Sequence, residues 1–274
     1  MEMCKKAGMK IVSITDHNSV RGVGEALKEN TLWNGIYVIP GVELDCTYRN
    51  KNLHLLGYGI DHTRSEFPEI EQDIINQEKE IAEEKIILFQ KATGIPVDIH
   101  EIIASSNGFI TGEAVAEHVF KREDVLQYEI LKPYFPGGEK SNMPNAWFYW
   151  DFFAPGKPAN IPIKNISLSE ARDLISKAKG IPVLAHPGQS LGDYSLLENI
   201  ISEGIKGIEV FSSYHTAEAA SYFLEAAGKN DLLVTAGSDF HGKNKPQIRL
   251  GDHGSFLDDE QLISQVSCLF KTGY

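Results

Sequence analysis

Five short polar clusters in this chain carry the side chains that bind divalent metals: Asp16 with His17, then Glu43, His54, His186, and Asp239 with His241. Imidazoles mixed with carboxylates suit zinc, manganese or iron better than calcium, which prefers an all-oxygen shell. The number of donors is enough for more than one ion. His215 follows Ser212-Ser213-Tyr214 and could point toward the same place, while Arg122, Lys132 and Lys140 are cations able to meet a phosphate. His62, His100, His118 and His253 lack a partner motif and read as surface or capping residues.

The elements that would carry these donors are short β-branched strands. Lys10 to Thr15 is the first and ends in Asp16-His17-Asn18; a helical stub, Glu2 to Ala7, precedes it and closes at Gly8. A helix with Val20, Val23 and Leu27 is expected to run to about Asn34 and stop at Gly35. Ile36 to Ile39 is the next strand, leading to Pro40-Gly41-Val42-Glu43. A hairpin of Leu44 to Tyr48 with Asn52 to Leu56 then puts His54 on a strand. Ile181 to Ala185 stops at His186-Pro187-Gly188, after a helix begun by the capping pair Ser167 and Glu170. Gly207 to Phe211 and Leu232 to Ala236 alternate with helices, which implies a parallel sheet or barrel. In such barrels the C-terminal strand ends share one mouth, so donors distant in sequence meet there.

Residues 65–164 read as an inserted, mainly helical subdomain that separates the barrel segments 1–64 and 165–274. A long amphipathic helix through Phe67, Ile74, Ile81 and Leu88 ends at Gly94, and Thr111 can cap a second helix. From Lys132 to Pro162 no period is sustained, and the aromatic run from Trp147 to Phe153 reads as the insert's own core.

Composition limits the function classes. At 274 residues the chain can form one large α/β unit with an insertion. Its formal charge of -12 argues against coating duplex DNA, which calls for clustered Lys and Arg. It does not exclude a phosphorylated substrate, because bound cations invert the local field of a carboxylate cleft. Cys4, Cys46 and Cys268 show no disulfide or zinc-ribbon spacing, and no leader or spanning apolar run is seen, so a cytoplasmic protein without membrane contact is expected.

Ser13-Ile14-Thr15-Asp16-His17-Asn18, Pro40-Gly41-Val42-Glu43, His54-Leu55-Leu56-Gly57-Tyr58, Leu184-Ala185-His186-Pro187 and Gly237-Ser238-Asp239-Phe240-His241-Gly242 resemble the PHP (polymerase and histidinol phosphatase) family. They are closest to its stand-alone metal-dependent phosphoesterases. The resemblance implies a distorted (β/α)7 barrel with up to three divalent ions. On that basis Glu43 bridges two ions, His54 and His186 complete the second, Asp239 serves the first, and His17 with His241 holds the third. Asp16 then orients or charges the site, and His186, Asp239 and His241 form the catalytic group. The implied reaction is hydrolysis of a phosphomonoester by a metal-activated water. The substrate would be a small nucleotide such as a nucleoside 3',5'-bisphosphate, or the 5' end of short RNA. Arg122, Lys140 and His215 are the candidate substrate contacts, and the leaving-group proton is left between a water and His215.

Family members open with a strand bearing H-x-H and then S-D-G, whereas this chain starts inside the following helix. The expectation is a barrel lacking its first strand, from a fragment, a mis-started reading or a degenerate member, with impaired activity. The alternative is a non-catalytic regulatory or binding module that keeps the fold. A metal-dependent amidohydrolase is less favoured, because no strand-end lysine is suitably placed.

Overall fold

The computed structural model describes residues 1–27, 32–105 and 110–270, and it divides into two compact units. The first comprises Met1–Glu71, Asn165–Phe240 and Arg249–Tyr274; the second comprises Gln72–Lys164 and His241–Ile248.

The first unit opens with helix α1 (Glu2–Lys6), the left-handed Gly8 at φ 73° and strand β1 (Ile11–Ile14). Helix α2 (Arg21–Ala26) is shorter than its apolar spacing predicts. Leu32–Trp33 is strand β2 rather than helix, and residues 28–31 lie outside the described residues. The reason is local turn chemistry. Asn34 and Gly35 both have positive φ, 48° and 85°, and form a two-residue hairpin turn into β3. Strand β3 runs unbroken from Ile36 to Tyr48, turns through Arg49 and Asn50 at φ 47° and 63°, and returns as β4 (Lys51–Tyr58).

The second unit is helical. Helix α3 (Glu66–Thr93) starts in the first unit and continues into the second, ending at Gly94, with φ 71°. Asp98 accepts from the His100 amide at the start of α4 (Ile99–Ser105), and Thr111 caps α5 (Gly112–Phe120) through the Ala114 amide. The stretch expected to be irregular contains helix α6 (Pro144–Phe152), begun by proline at its first position, which suits the missing N–H. Apolar residues lie on every side of α6, so no period marks it in the sequence. Phe148, Phe152 and Phe153 pack with Phe89, Val115 and Val119 into one buried cluster.

The chain then alternates strand and helix through β5 (Ile166–Ser167), α7 (Leu168–Lys177), β6 (Ile181–Leu184), α8 (Pro187–Ser190) and α9 (Leu197–Ser202). It continues with β7 (Gly207–Ser212), α10 (Ala217–Lys229), β8 (Leu233–Gly237) and α11 (Asp259–Gln265). Ser167 and Glu170 form a reciprocal capping box on α7.

The sheet order is β1-β3-β4-β6-β7-β8, with β2 and β5 also paired to β3. It is mixed, not all-parallel: β4 is antiparallel to both β3 and β6, because the two-residue turn inserts a returning strand between parallel neighbours. The sheet curls into a half-barrel. Leu44, Leu55, Leu184, Ile208, Val210 and Val234 face α7, α9 and α10 in its largest core. Residues alternate in direction along a strand, so Glu43 and Asp45 project from the face opposite Leu44 and Cys46.

Candidate metal centre

The site is built on β3. Glu43 and Asp45 lie two residues apart on one face, and Asp45 stands directly opposite His54 in the β3–β4 register. The end of parallel β1 delivers His17 beside them: His17 and Glu43 form an isolated parallel bridge, and the Asn18 amide donates to the Glu43 carbonyl at 2.7 Å. The end of β6 delivers His186, since the Ala185 amide donates to the His54 carbonyl at 3.1 Å. Register alone therefore brings five polar side chains to one patch.

Glu43 Oε1 lies 2.8 Å from His54 Nδ1 and 3.1 Å from His186 Nε2, and the two ring nitrogens are 3.2 Å apart. Donor atoms bonded to one cation at about 2.0–2.2 Å are separated by about 3 Å along the edges of its coordination polyhedron. The triangle matches that spacing. A second group consists of His17, Asp45 and His54: Asp45 Oδ1 is 2.8 Å from His17 Nδ1 and 3.4 Å from His54 Nε2. His54 contributes to both groups, one nitrogen to each. Glu43 and His186 are buried, and His186 Nδ1 has no hydrogen-bond partner, so Glu43 and His54 are the polar side chains that direct this ring among the described residues. The donor set fits divalent cations of the zinc, manganese and iron class.

The electrostatics agree. Burial alone would lower the His17 pKa, but the charges of Glu43 and Asp45, the Asp45 hydrogen bond and the charge of Asp239 outweigh it and hold it at about 10. Burial would raise Glu43 and Asp45, yet His17 and the neighbouring imidazoles pull both carboxyls down, Glu43 far below the usual range. Glu209, in the middle of β7, shifts the other way. Burial and the charges of Glu43 and Asp239 keep its carboxyl well above the ordinary value, against the opposing hydrogen bond from the His186 amide.

The remaining expected residues fall as follows. Asp239 has φ 53° and accepts a 2.5 Å hydrogen bond from the Tyr214 hydroxyl; its charge acts on both His17 and Glu209. Thus the ends of β1 and β8, the two ends of the sheet path, come into electrostatic range. Asp16 is exposed and its carboxylate covers Gly22 at the start of α2, where a Cβ would lie 2.2 Å from Oδ2. His215 has both ring nitrogens on backbone: Nδ1 donates to the Val210 carbonyl at 2.8 Å and Nε2 accepts from the Gly188 amide at 3.0 Å. In the second unit, Arg122 forks onto Asp124 and Lys140 binds Asp151 at 2.7 Å; His241 precedes a short 3-10 turn and its carbonyl accepts from Asn244.

Sequence reasoning passed over Asp45, Glu209 and Tyr214. The signal for Asp45 was present, since a carboxylate two residues from Glu43 on a strand shares its face. Glu209 is a lone acid within Gly-Ile-Glu-Val-Phe, and a charge in an apolar strand is itself a marker.

No family model matches the chain. Curated relatives do. It is 24% identical over 248 residues to the phosphoribosyl 1,2-cyclic phosphate 1,2-diphosphodiesterase of Eggerthella lenta, covering 89% of this chain and 87% of the relative. It is 26% identical to the 3',5'-nucleoside bisphosphate phosphatase of Chromobacterium violaceum, over 84% of this chain and 76% of that protein. It is 25% identical to the 5'-3' exoribonuclease Rnm of Escherichia coli, over 88% and 78%. These relatives are phosphoesterases. Two solved structures share the fold. An amidohydrolase from Chromobacterium violaceum has a TM-score of 0.74 at 22% identity over 96% of this chain and 89% of that one. A protein from Bifidobacterium adolescentis described as a putative metal-dependent phosphoesterase has a TM-score of 0.72 at 23% identity over 98% and 88%. Among the described residues no helix is long and apolar enough to cross a membrane.

Proposed function

We propose that this chain is a metal-dependent phosphoesterase of the PHP type, from its stand-alone branch, hydrolysing a small phosphorylated substrate. The observation that carries the reading is the triangle of Glu43, His54 and His186, three donor atoms from β3, β4 and the turn after β6, about 3 Å apart. The relatives' names support phosphate-ester chemistry; the narrower proposal is that the substrate is a nucleoside 3',5'-bisphosphate or the 5' end of short RNA.

Glu43, His54 and His186 would hold one divalent ion, and His17, with Asp45 on its Nδ1, would offer Nε2 on the Glu43 side to a second. Bound there, such ions supply Lewis-acid activation of water and neutralise charge on the phosphate oxygens, so no serine or cysteine nucleophile is required. The chain's own residues prepare the site. Asp45 takes the Nδ1 side of His17, which leaves Nε2 directed toward Glu43. Asn18 pins Asp45 from both sides, donating to Oδ2 at 2.8 Å and accepting from the Asp45 amide at 3.0 Å. Tyr214 orients Asp239 through its hydroxyl.

The test is metal titration followed by assay. Chelator-treated protein should take up Mn2+ or Zn2+, and the loaded protein should release phosphate from a nucleoside bisphosphate. Glu43→Gln should abolish both; a variant that retains full uptake refutes the assignment of the triangle. The acidic chain favours a short substrate, so activity should depend weakly on salt, whereas an extended RNA track would give a steep salt slope.

A further inference from the structure

The turn His186-Pro187-Gly188 ends β6 and starts the four-residue helix α8. Its backbone is in an unusual state. His186 has φ 25° and ψ 58°, a left-handed conformation that costs a side-chain-bearing residue energy and persists only where the surroundings impose it. The amides of this turn are fully accounted for. The His186 N–H donates to Glu209 Oε2 at 3.0 Å, Pro187 has none, the Gly188 N–H donates to His215 Nε2 at 3.0 Å, and the Gln189 N–H returns to the His186 carbonyl. Both side-chain acceptors come from β7 and the segment just after it.

That strand is shaped for the purpose. Its pairing with β8 slips between Glu209 and Phe211, leaving Val210 as an extra residue, and bulges of this kind re-aim side chains near functional sites. The Val210 carbonyl takes the Nδ1 proton of His215, so Nε2 is bare and able to accept. Two glycines make room. A Cβ at Gly237 would lie 2.2 Å from Glu209 Oε1, and one at Gly188 would lie 2.5 Å from the His215 ring. Neither glycine has a positive φ, so close approach rather than turn geometry accounts for both.

We infer that β7 braces the metal-ligand turn: Glu209 and His215 are positioning residues that hold His186 in its left-handed conformation and so aim Nε2 at Glu43 and His54. This rests on the metal reading above. Partners of this kind around a metal site are typically worth about 10–100-fold in metal affinity. Glu209 matters here as a hydrogen-bond acceptor, so glutamine, whose amide oxygen accepts equally, should replace it and alanine should not.

Two readouts separate the brace from its purpose. Amide hydrogen exchange at His186, followed without metal, should accelerate about tenfold or more in Glu209→Ala and stay slow in Glu209→Gln. Mn2+ affinity, by calorimetry on the full chain, should fall about 10–100-fold in Glu209→Ala and be rescued in Glu209→Gln. Gly237→Ala gives an independent approach that leaves Glu209 in place. Its methyl should displace the carboxylate and weaken Mn2+ comparably, whereas adding it to Glu209→Ala should cost little more, a non-additivity expected of groups in contact. Unchanged exchange in Glu209→Ala overturns the brace. Faster exchange with unchanged Mn2+ affinity, or additive losses from the two substitutions, overturns the positioning role. A wild-type chain that binds no Mn2+ but shows the exchange pattern overturns the metal reading while the hydrogen bond stands.

Discussion

Loading a divalent cation at His17 should expel about one proton near neutral pH. Its Nδ1 is committed to Asp45 at 2.8 Å, so coordination falls to Nε2, 3.9 Å from Glu43 Oε2. Burial works against protonation of this ring, but Glu43 and Asp45 raise its pKa to about 10. At pH 7 the imidazolium therefore dominates by about a thousand to one in the metal-free protein. The shift is upward from 6.5, so the charged ring stabilises the metal-free fold fully below that value, and the contribution is lost as pH rises through about 10. For binding, the sign reverses. The proton competes with the ion, and apparent affinity should rise about tenfold per pH unit across this window. Calorimetry of Mn2+ into chelator-treated protein at about pH 6.5 and 8.5 should show about a hundredfold gain, with heats that depend on buffer ionisation enthalpy. Asp45→Asn removes one of the two main raising charges and should flatten the dependence. Affinity that changes less than about twofold over that range, with no buffer-dependent heat, would refute the assignment of His17 as a ligand displaced from a protonated state.

Removing metal should also lower the melting temperature, and Mn2+ at about 100 times its Kd should restore about 2.7 kcal/mol, measured by thermal melts with and without chelator. Phe148→Ala empties a fully buried position among Phe89, Phe120 and Phe152 and should destabilise by about 3–5 kcal/mol in denaturant unfolding. Ser167→Ala breaks the capping box of α7 and should cost about 1 kcal/mol by the same measurement, with Ser167→Asn or Asp recovering most of it.

The donors easiest to read in the sequence sit where strands stop. His17 and His186 follow β-branched runs and interrupt them with polar turns, so residue type and position point the same way. Asp45 and Glu209 lie inside strands: their spacing and surroundings marked them, but which polar neighbours they meet follows from the pairing register. The hairpin of β3 and β4 was legible, but the antiparallel pairing of β4 with β6 was not, for a related reason. Helices between strands suggest parallel pairing, but the Arg49-Asn50 turn is short enough to return β4 beside β3, where it also meets β6. Asn34-Gly35 shows how one glycine admits two meanings: it can stop a helix or, after asparagine, close a hairpin, and here the hairpin wins. Helix α6 has no legible period because packing buries it among other aromatics rather than along one face.

The Arg49-Asn50 turn touches none of the donor groups, yet it works as the gauge of the whole site. Its length sets which residue of β3 faces which residue of β4, and hence that Asp45 meets His54 and Glu43 lies opposite Leu56. Strand β3 is also held by β1, β2 and β5, so a single added residue that slips β4 by one position would send His54 into the oily side of the sheet and bring Leu53 and Leu55 out in its place. Loops usually accept insertions freely. This connection is different, because the pairing of Asp45 with His54 is counted off from it residue by residue.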